Sequence, residues 1–441
     1  MSVLSELASF VSRTDYRDLS PAIEETARRS MLNALGVAIG AGGTQEISMA
    51  VSAMEGAGSV PVWGRRECFA GPTAAFINGL SIHLWDFDDT DPTTIVHPSA
   101  PVLPAVAAEL ARSGPYSGEQ LLTAFAMGCE IAIRVGLAIS PSEYERGWHS
   151  TAIFGPIGAA AGVAKLLGLT EEITARAMSL AATQSGGFRA SFGSMAKPVH
   201  AGHAATVGLV SARLAHAGVT ASLQALDGPA GYGRVFGENV NWARATEALG
   251  RDWTFNANTF KAYACGVVTH PAIAGAAELR KHIPDVRHIK RIDVRVHPLV
   301  LLLTPNPYPT TGLEGKFSVH HCVAMGLLDG GASVSQFTDD RVTAADATEL
   351  RGRVYPVADD TISEHTAIFR CELEDGQVID VEMLAPPGSP ENPLTEEQLL
   401  DKFRTLVAPV LGADRANALA ASLLSVNDKR DAAGLFATLQ P

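Results

Sequence analysis

Two hydrophobic periodicities divide this chain, and the break between them limits its architecture more than any other feature. Up to about residue 265 the apolar positions follow helical spacing, and long β-branched alternation is absent. Ser20-Pro21 is an N-cap followed by a proline at the first helical position, opening a helix over 21–40. Ser117 with Gln120 forms a capping box for 118–138, and Thr170 followed by Glu171 and Glu172 starts a helix through about 183. The pattern continues over 201–217. After about residue 285 the period drops to two. Ile292, Val294 and Val296 alternate with Arg291, Asp293 and Arg295, as in a half-buried strand. Residues 366–384 read as a hairpin, with Ala367, Phe369, Cys371 and Leu373 on one face. Its turn signal, Asp375-Gly376, suggests type I′, and Ile379, Val381 and Met383 return. The stretches 317–330 and 342–352 are helical, and Thr395 with Gln398 caps a C-terminal helical stretch to about 425.

The expected fold is therefore mainly α, with a large all-helical domain formed by both chain ends (1–266 and 396–441). A smaller inserted α+β domain spans 267–395, with 385–393 as the boundary loop. At 441 residues, 46% apolar and only 18% charged, the chain can bury a large core. Its net charge of −13 argues against nucleic-acid partners and against binding to an anionic membrane surface. The most apolar long stretch, near 150–168, carries His149, Pro156 and Lys165 and reads as a buried helix. The five scattered cysteines lack zinc-ribbon or ferredoxin spacing and suit a reducing cytoplasm. The N-terminus lacks the pattern of a signal peptide.

Four segments place polar residues inside apolar sequence. His83, Asp86, Asp88, Asp89, Thr90 and His97 form the first. Such a cluster is an acid/base group, a divalent-metal site, or a helix end whose carboxylates cap a neighbour. The second centres on His149 at a helix start, where the dipole would lower its pKa; a structural histidine is the plain alternative. The third is glycine-rich and carries Arg189, Lys197, His200 and His203. These make a basic cluster in an acidic protein that suits an anionic small molecule, if it is not simply a solvated loop. The fourth isolates Lys261 in an apolar run ending at His270, with Cys265 read as a small buried residue. No nucleophile elbow, zinc-protease or kinase signature is present.

Taken together, GLSIHLWDFDDT…HPS (79–99), GWHST (147–151), SGGFRASFGSMAKPVHAGHAA (185–205), FKAYACGVVTHPA (260–272) and GLEGKFSV (312–319) resemble the MmgE/PrpD family, in family order. That family includes 2-methylcitrate dehydratase, cis-aconitate decarboxylase and iminodisuccinate epimerase. The resemblance implies a homodimer with no required metal or organic cofactor, acting on a small di- or tricarboxylate. It implies catalytic roles for Asp86, Thr90, His97, His149, Lys197 and Lys261. His83, Arg189, His200, His320 and His321 are expected to contact substrate. His321 stands where the family often has tyrosine, and Asp91 where relatives often have histidine. Asp91 would add negative charge at the mouth of a polycarboxylate pocket. The expected activity is a lyase, dehydratase or decarboxylase, with lysines stabilising developing charge and a histidine moving the proton. The alternatives are a dicarboxylate epimerase and a non-catalytic carboxylate-binding protein.

Overall fold

The computed structural model describes residues 2–441. Its helices begin where the capping chemistry places them. Ser20 accepts a hydrogen bond from the backbone N–H of Ile23 and opens Pro21–Ala41. The capping boxes of Ser117/Gln120 and Thr395/Gln398 are both formed, opening Gly118–Ile139 and Glu396–Leu411. Gly118–Ile139 is long and apolar enough to cross a bilayer, but it is buried among other helices. It packs on Ser150–Leu166, itself buried on nearly every side. Small residues allow this approach. A Cβ on Gly158 would sit 2.5 Å from the Gly128 carbonyl oxygen, and one on Gly208 2.3 Å from the Ala159 Cβ.

One apolar core joins these helices to the C-terminal pair Glu396–Leu411 and Ala413–Leu424. Phe403 packs against Gly36, where a Cβ would meet its ring at 2.8 Å. The two chain ends thus close on each other, and burial of Leu399, Phe403 and Val407 secures the contact.

A second core collects residues 264–373 around a four-stranded sheet. Val354–Ala358 pairs parallel to Ile289–Val296, which pairs antiparallel with Ala367–Leu373, and that with Val378–Met383. Ile292, Val294 and Val296 point inward as their alternation requires, as do Ala367, Phe369, Cys371 and Leu373. Helices His270–Arg280 and Val319–Asp329 pack together in this core.

Three local expectations change. The hairpin turn is not type I′, because only Gly376 has positive φ (+88°). Its N–H bonds the Leu373 carbonyl, and Leu373 N–H bonds Gln377, which is a type I turn followed by a glycine bulge. Val354–Ala358 is a strand additional to those expected from the sequence; at the edge of the sheet it tolerates Pro356. A short hairpin, Ala57–Pro61 with Cys68–Phe69, interrupts the helical half.

Candidate active site

The site forms where three helices and one two-residue β-ladder converge. Helix Gly71–Leu84 ends at Trp85, and the chain turns at Asp86 with φ of +52°. The short strand Asp89–Thr90 then pairs antiparallel with Thr259–Phe260, which sets Lys261 beside Asp86. Helix Ala196–His216 brings Lys197 in its first turn. His149 is the N-cap residue of Ser150–Leu166.

One carboxylate oxygen organises the centre. Asp86 Oδ1 accepts from Lys197 Nζ at 2.8 Å and from Lys261 Nζ at 2.5 Å, with all three side chains buried. Burial alone would raise the Asp86 pKa, but the two ammonium groups outweigh it and hold the carboxyl well below the usual range. Burial pulls the Lys197 pKa down, and Asp86 opposes that fall. Lys197 Nζ also lies 5.1 and 5.3 Å from the ring centres of Phe192 and Phe317.

Beside these cations lies a histidine cluster. Rings of His83 and His97 are 4.6 Å apart, and those of His83 and His149 are 5.4 Å apart. His83 Nδ1 donates to Asp88 Oδ2 at 2.7 Å. His97 Nδ1 lies 2.8 Å from the Asp89 carbonyl, 3.0 Å from Thr90 Oγ1 and 3.5 Å from Asp88 Oδ1. A carbonyl only accepts, so His97 Nδ1 carries the proton and Nε2 keeps its lone pair. His149 Nδ1 meets His200 Nδ1 at 3.1 Å. One of the two must donate, and that proton can cross to the other ring only as the donor ring takes up another at its Nε2. Burial, reinforced by nearby cations, keeps His149 neutral at pH 7, and burial does the same for His97 and His83 against the pull of Asp88. The direction expected for His149 holds, but burial is its main cause. His200 is pushed down to about 4 by burial and by His83 and Lys197.

Asp86, His97, His149, Lys197 and Lys261 line a cavity whose other walls are Tyr144, Phe192, Phe317, Leu303, Thr304, Ile95, Gly266, Val267 and Val268. Thr90 reaches it through His97. An enclosed space with two ammonium groups on one wall and two neutral imidazoles beside them can bind a small carboxylate and exchange a proton with it.

The ligand atoms of His83, His97 and His149 lie within 4.8 Å of one another, as do those of Asp86, Asp88 and His97. These are spacings at which a metal ion could be held. Both Nδ1 atoms of His83 and His97 are already engaged, however, and Lys197 and Lys261 place two positive charges at Asp86, so the donor set fits a divalent cation poorly.

Several residues expected at the substrate lie elsewhere. Arg189 stacks over the Tyr144 ring at 4.2 Å and donates to the Tyr144 carbonyl, so it positions a wall residue and does not line the cavity. His83 and His200 sit behind His97 and His149. His321 bonds the Gln336 carbonyl through Nε2 at 2.9 Å and faces Arg351, outside the cavity; His320, its neighbour, is also absent from the lining. Asp91 does not line this cavity. Its carboxylate accepts from Thr94 N–H at 2.8 Å and Thr94 Oγ1 at 2.7 Å. The glycine-rich 185–195 segment is partly a surface loop, with Phe188 and Met195 exposed. Gly187 is needed for packing: its carbonyl accepts from His149 N–H, and a Cβ would strike Ala152 at 2.6 Å. His203 is exposed, and Cys265 is buried with its thiol 3.2 Å from Thr269 Oγ1.

Two lysines escaped the sequence reading. Lys316 Nζ donates to the Trp85 carbonyl at 2.8 Å and to Ala264 at 2.5 Å, and burial lowers its pKa to about 8. Lys402 Nζ donates to Phe87 at 2.8 Å and to the Lys261 carbonyl at 2.9 Å. Lys316 is the isolated lysine of GLEGKFSV and carries a sequence signal, whereas Lys402 belongs to an amphipathic helix, where a lysine ordinarily stays solvated.

Sequence comparison matches the MmgE/PrpD N-terminal domain over residues 5–245 and the MmgE/PrpD C-terminal domain over 263–427. A cis-aconitate decarboxylase of Homo sapiens is 32% identical, over 87% of this chain and 82% of its own. Cis-aconitate decarboxylases of Mus musculus (29%, 100% and 93%) and Aspergillus terreus (27%, 99% and 96%) are similar along nearly the whole length.

Proposed function

Because this chain belongs to the MmgE/PrpD family and its relatives are lyases, we propose that it is a dehydratase or decarboxylase of a small di- or tricarboxylate, working by proton transfer beside a carboxylate. The observation that carries this reading is the pair of buried ammonium groups sharing Asp86 Oδ1 and lining one cavity together with neutral His97 and His149.

Either reaction builds negative charge on the carbon next to a carboxylate. Loss of carbon dioxide leaves an electron pair there, which a proton carrier must quench. Dehydration removes a proton there and returns one to the departing hydroxyl. Lys197 and Lys261 are fixed in advance, in a water-poor space, where that charge appears. Asp86 holds both in place and keeps them from repelling one another. His97, whose tautomer is set by the Asp89 carbonyl, offers Nε2 as a base. His149 Nδ1 is engaged by His200, and its Nε2 has no protein partner, which leaves that atom to exchange a proton with the substrate. The reading calls for no metal or organic cofactor, because the lysines already supply the positive charge. Dialysis against EDTA is expected to leave turnover unchanged; a loss restored by a divalent ion would assign the chemistry to a metal.

Proton NMR in D₂O with cis-aconitate, citrate, 2-methylcitrate and iminodisuccinate tests the proposal. New alkene signals or a lost carboxylate support it and name the substrate. Deuterium entering a stereocentre without a new skeleton would make the enzyme an isomerase. Binding without turnover across the panel would make it a carboxylate-binding protein.

A further inference from the structure

Next to the lysine-lined cavity lies a second chamber, and Ile95, Val267 and Val268 line both. Its far walls are Pro92, His270 and the 386–390 loop. Gly388 (φ +86°) seats that loop on the strand Thr259–Phe260 that precedes Lys261, since a Cβ there would lie 2.4 Å from the Phe260 carbonyl oxygen. Two side chains lining the chamber are over nine-tenths buried and hold polar atoms without a hydrogen-bond partner, His270 Nε2 and Ser389 Oγ. Buried polar atoms are nearly always paired, so an unmatched pair lining one cavity calls for a ligand's partner groups. The partition is also unusual. Ile95 has φ of +57°, a region β-branched residues seldom adopt, within a turn closed by backbone bonds between Asp91 and both Ile95 and Val96.

We propose that this chamber is a second subsite of the same active site, taking an uncharged hydrogen-bonding arm of the substrate, an amide, ester or hydroxyl, with Ile95 setting how far the arm extends. The inference rests on the carboxylate reading above and deepens it by naming the substrate class: a small acid with one carboxylate replaced or extended by a neutral polar group. Charge selects that class. Neither lysine nor arginine lines the second chamber, whereas Asp91 and Glu364 do, so an anionic arm is repelled there and drawn to Lys197 and Lys261 instead. Proline, valine and isoleucine walls favour a neutral arm over an ammonium group. Thr90 ties the two spaces together, since it lines the second and bonds His97 of the first.

Calorimetric titration of the full chain with tricarballylate, its mono-methylamide and its mono-aminoethylamide tests this, read as the ratio of dissociation constants between amide and parent acid. The methylamide is expected to bind at least as tightly as the parent, although it lacks one carboxylate. Ser389→Ala and His270→Gln are each expected to shift the ratio against the methylamide about fivefold, the effect of one neutral hydrogen bond. Ile95→Ala is expected to shift it about tenfold toward longer N-alkyl amides. A ratio unmoved by all three, with parent binding weakened in Lys197→Met, overturns the second subsite alone. Preference for the aminoethylamide overturns the uncharged class. If Ser389→Ala weakens the methylamide while Lys197→Met leaves both acids bound, the carboxylate reading falls and the subsite stands. Absence of binding by all three probes overturns both. Thermal melts confirm that each variant is folded before its ratio is read.

Discussion

Asp86→Asn tests the electrostatic core of the site with little change in shape. Asparagine fills the same volume and accepts the left-handed φ of +52° as readily as aspartate. What it removes is the single negative charge between two ammonium groups at 2.8 and 2.5 Å. At an effective dielectric of about 20, each contact is worth about 6 kcal/mol of Coulomb energy before desolvation is subtracted. Removing one member of such a buried group costs a net ~3–5 kcal/mol, because the remaining charges stay buried and unmatched. With total stabilities of about 5–15 kcal/mol, that loss is large in a urea melt at pH 7.5. The penalty should shrink as pH rises, since Lys197 then loses its proton more readily than in wild type. Adding Lys197→Met to Asp86→Asn should recover part of the stability, because one unmatched charge disappears. A loss below about 1 kcal/mol with no recovery in the double variant would refute the argument that Asp86 is the counter-charge of both lysines.

Four further outcomes are expected. Lys197→Ala should abolish turnover with the fold intact, read by NMR assay and circular dichroism; full activity would remove Lys197 from the mechanism. His97→Gln should lower kcat by about 10²–10⁴-fold, the usual worth of a positioned proton carrier, with KM changed far less. Asp89, buried beside Asp88 and bonded by Ser99 and Asn258, has its pKa raised to about 7 by burial. The native state therefore holds a proton that the unfolded chain releases near ~4, so this contribution is full below that pH and is lost as pH rises through about 7. That difference corresponds to up to about 4 kcal/mol, so Asp89→Asn should flatten the decline in stability between about pH 4 and 7. His83, His97, His149 and His200 have lowered pKa values, so unfolding takes up protons below ~6.5, and stability should fall as pH drops from there. A flat acid limb in chemical denaturation would contradict their burial as neutral rings.

Local rules in the sequence were enough to place most elements. Capping residues at Ser20, Ser117, Thr170 and Thr395 start helices because they satisfy orphan N–H groups within one turn, whatever surrounds them. Alternation in 291–296 and 367–373 marks strands because one face must be buried. The site residues Asp86, His97, His149, Lys197 and Lys261 stood out because polar groups in apolar sequence have few other uses. Their roles were another matter. That Asp86 serves two lysines and that His149 is neutral mainly through burial depend on segments distant in sequence, whereas Asp88 and the Asp89 carbonyl orient histidines five and eight residues away, by a loop geometry that spacing does not reveal. Arg189 and His321 show the same limit from the other side. Each has the right charge or hydrogen-bonding groups for a substrate contact, yet Tyr144 takes the first and Gln336 the second. Lys402 lies 141 residues from the carbonyl it holds. Hydrogen bonding and charge act over a few ångströms, so spacing along the chain can nominate the participants, but only the packed chain decides which of them meet.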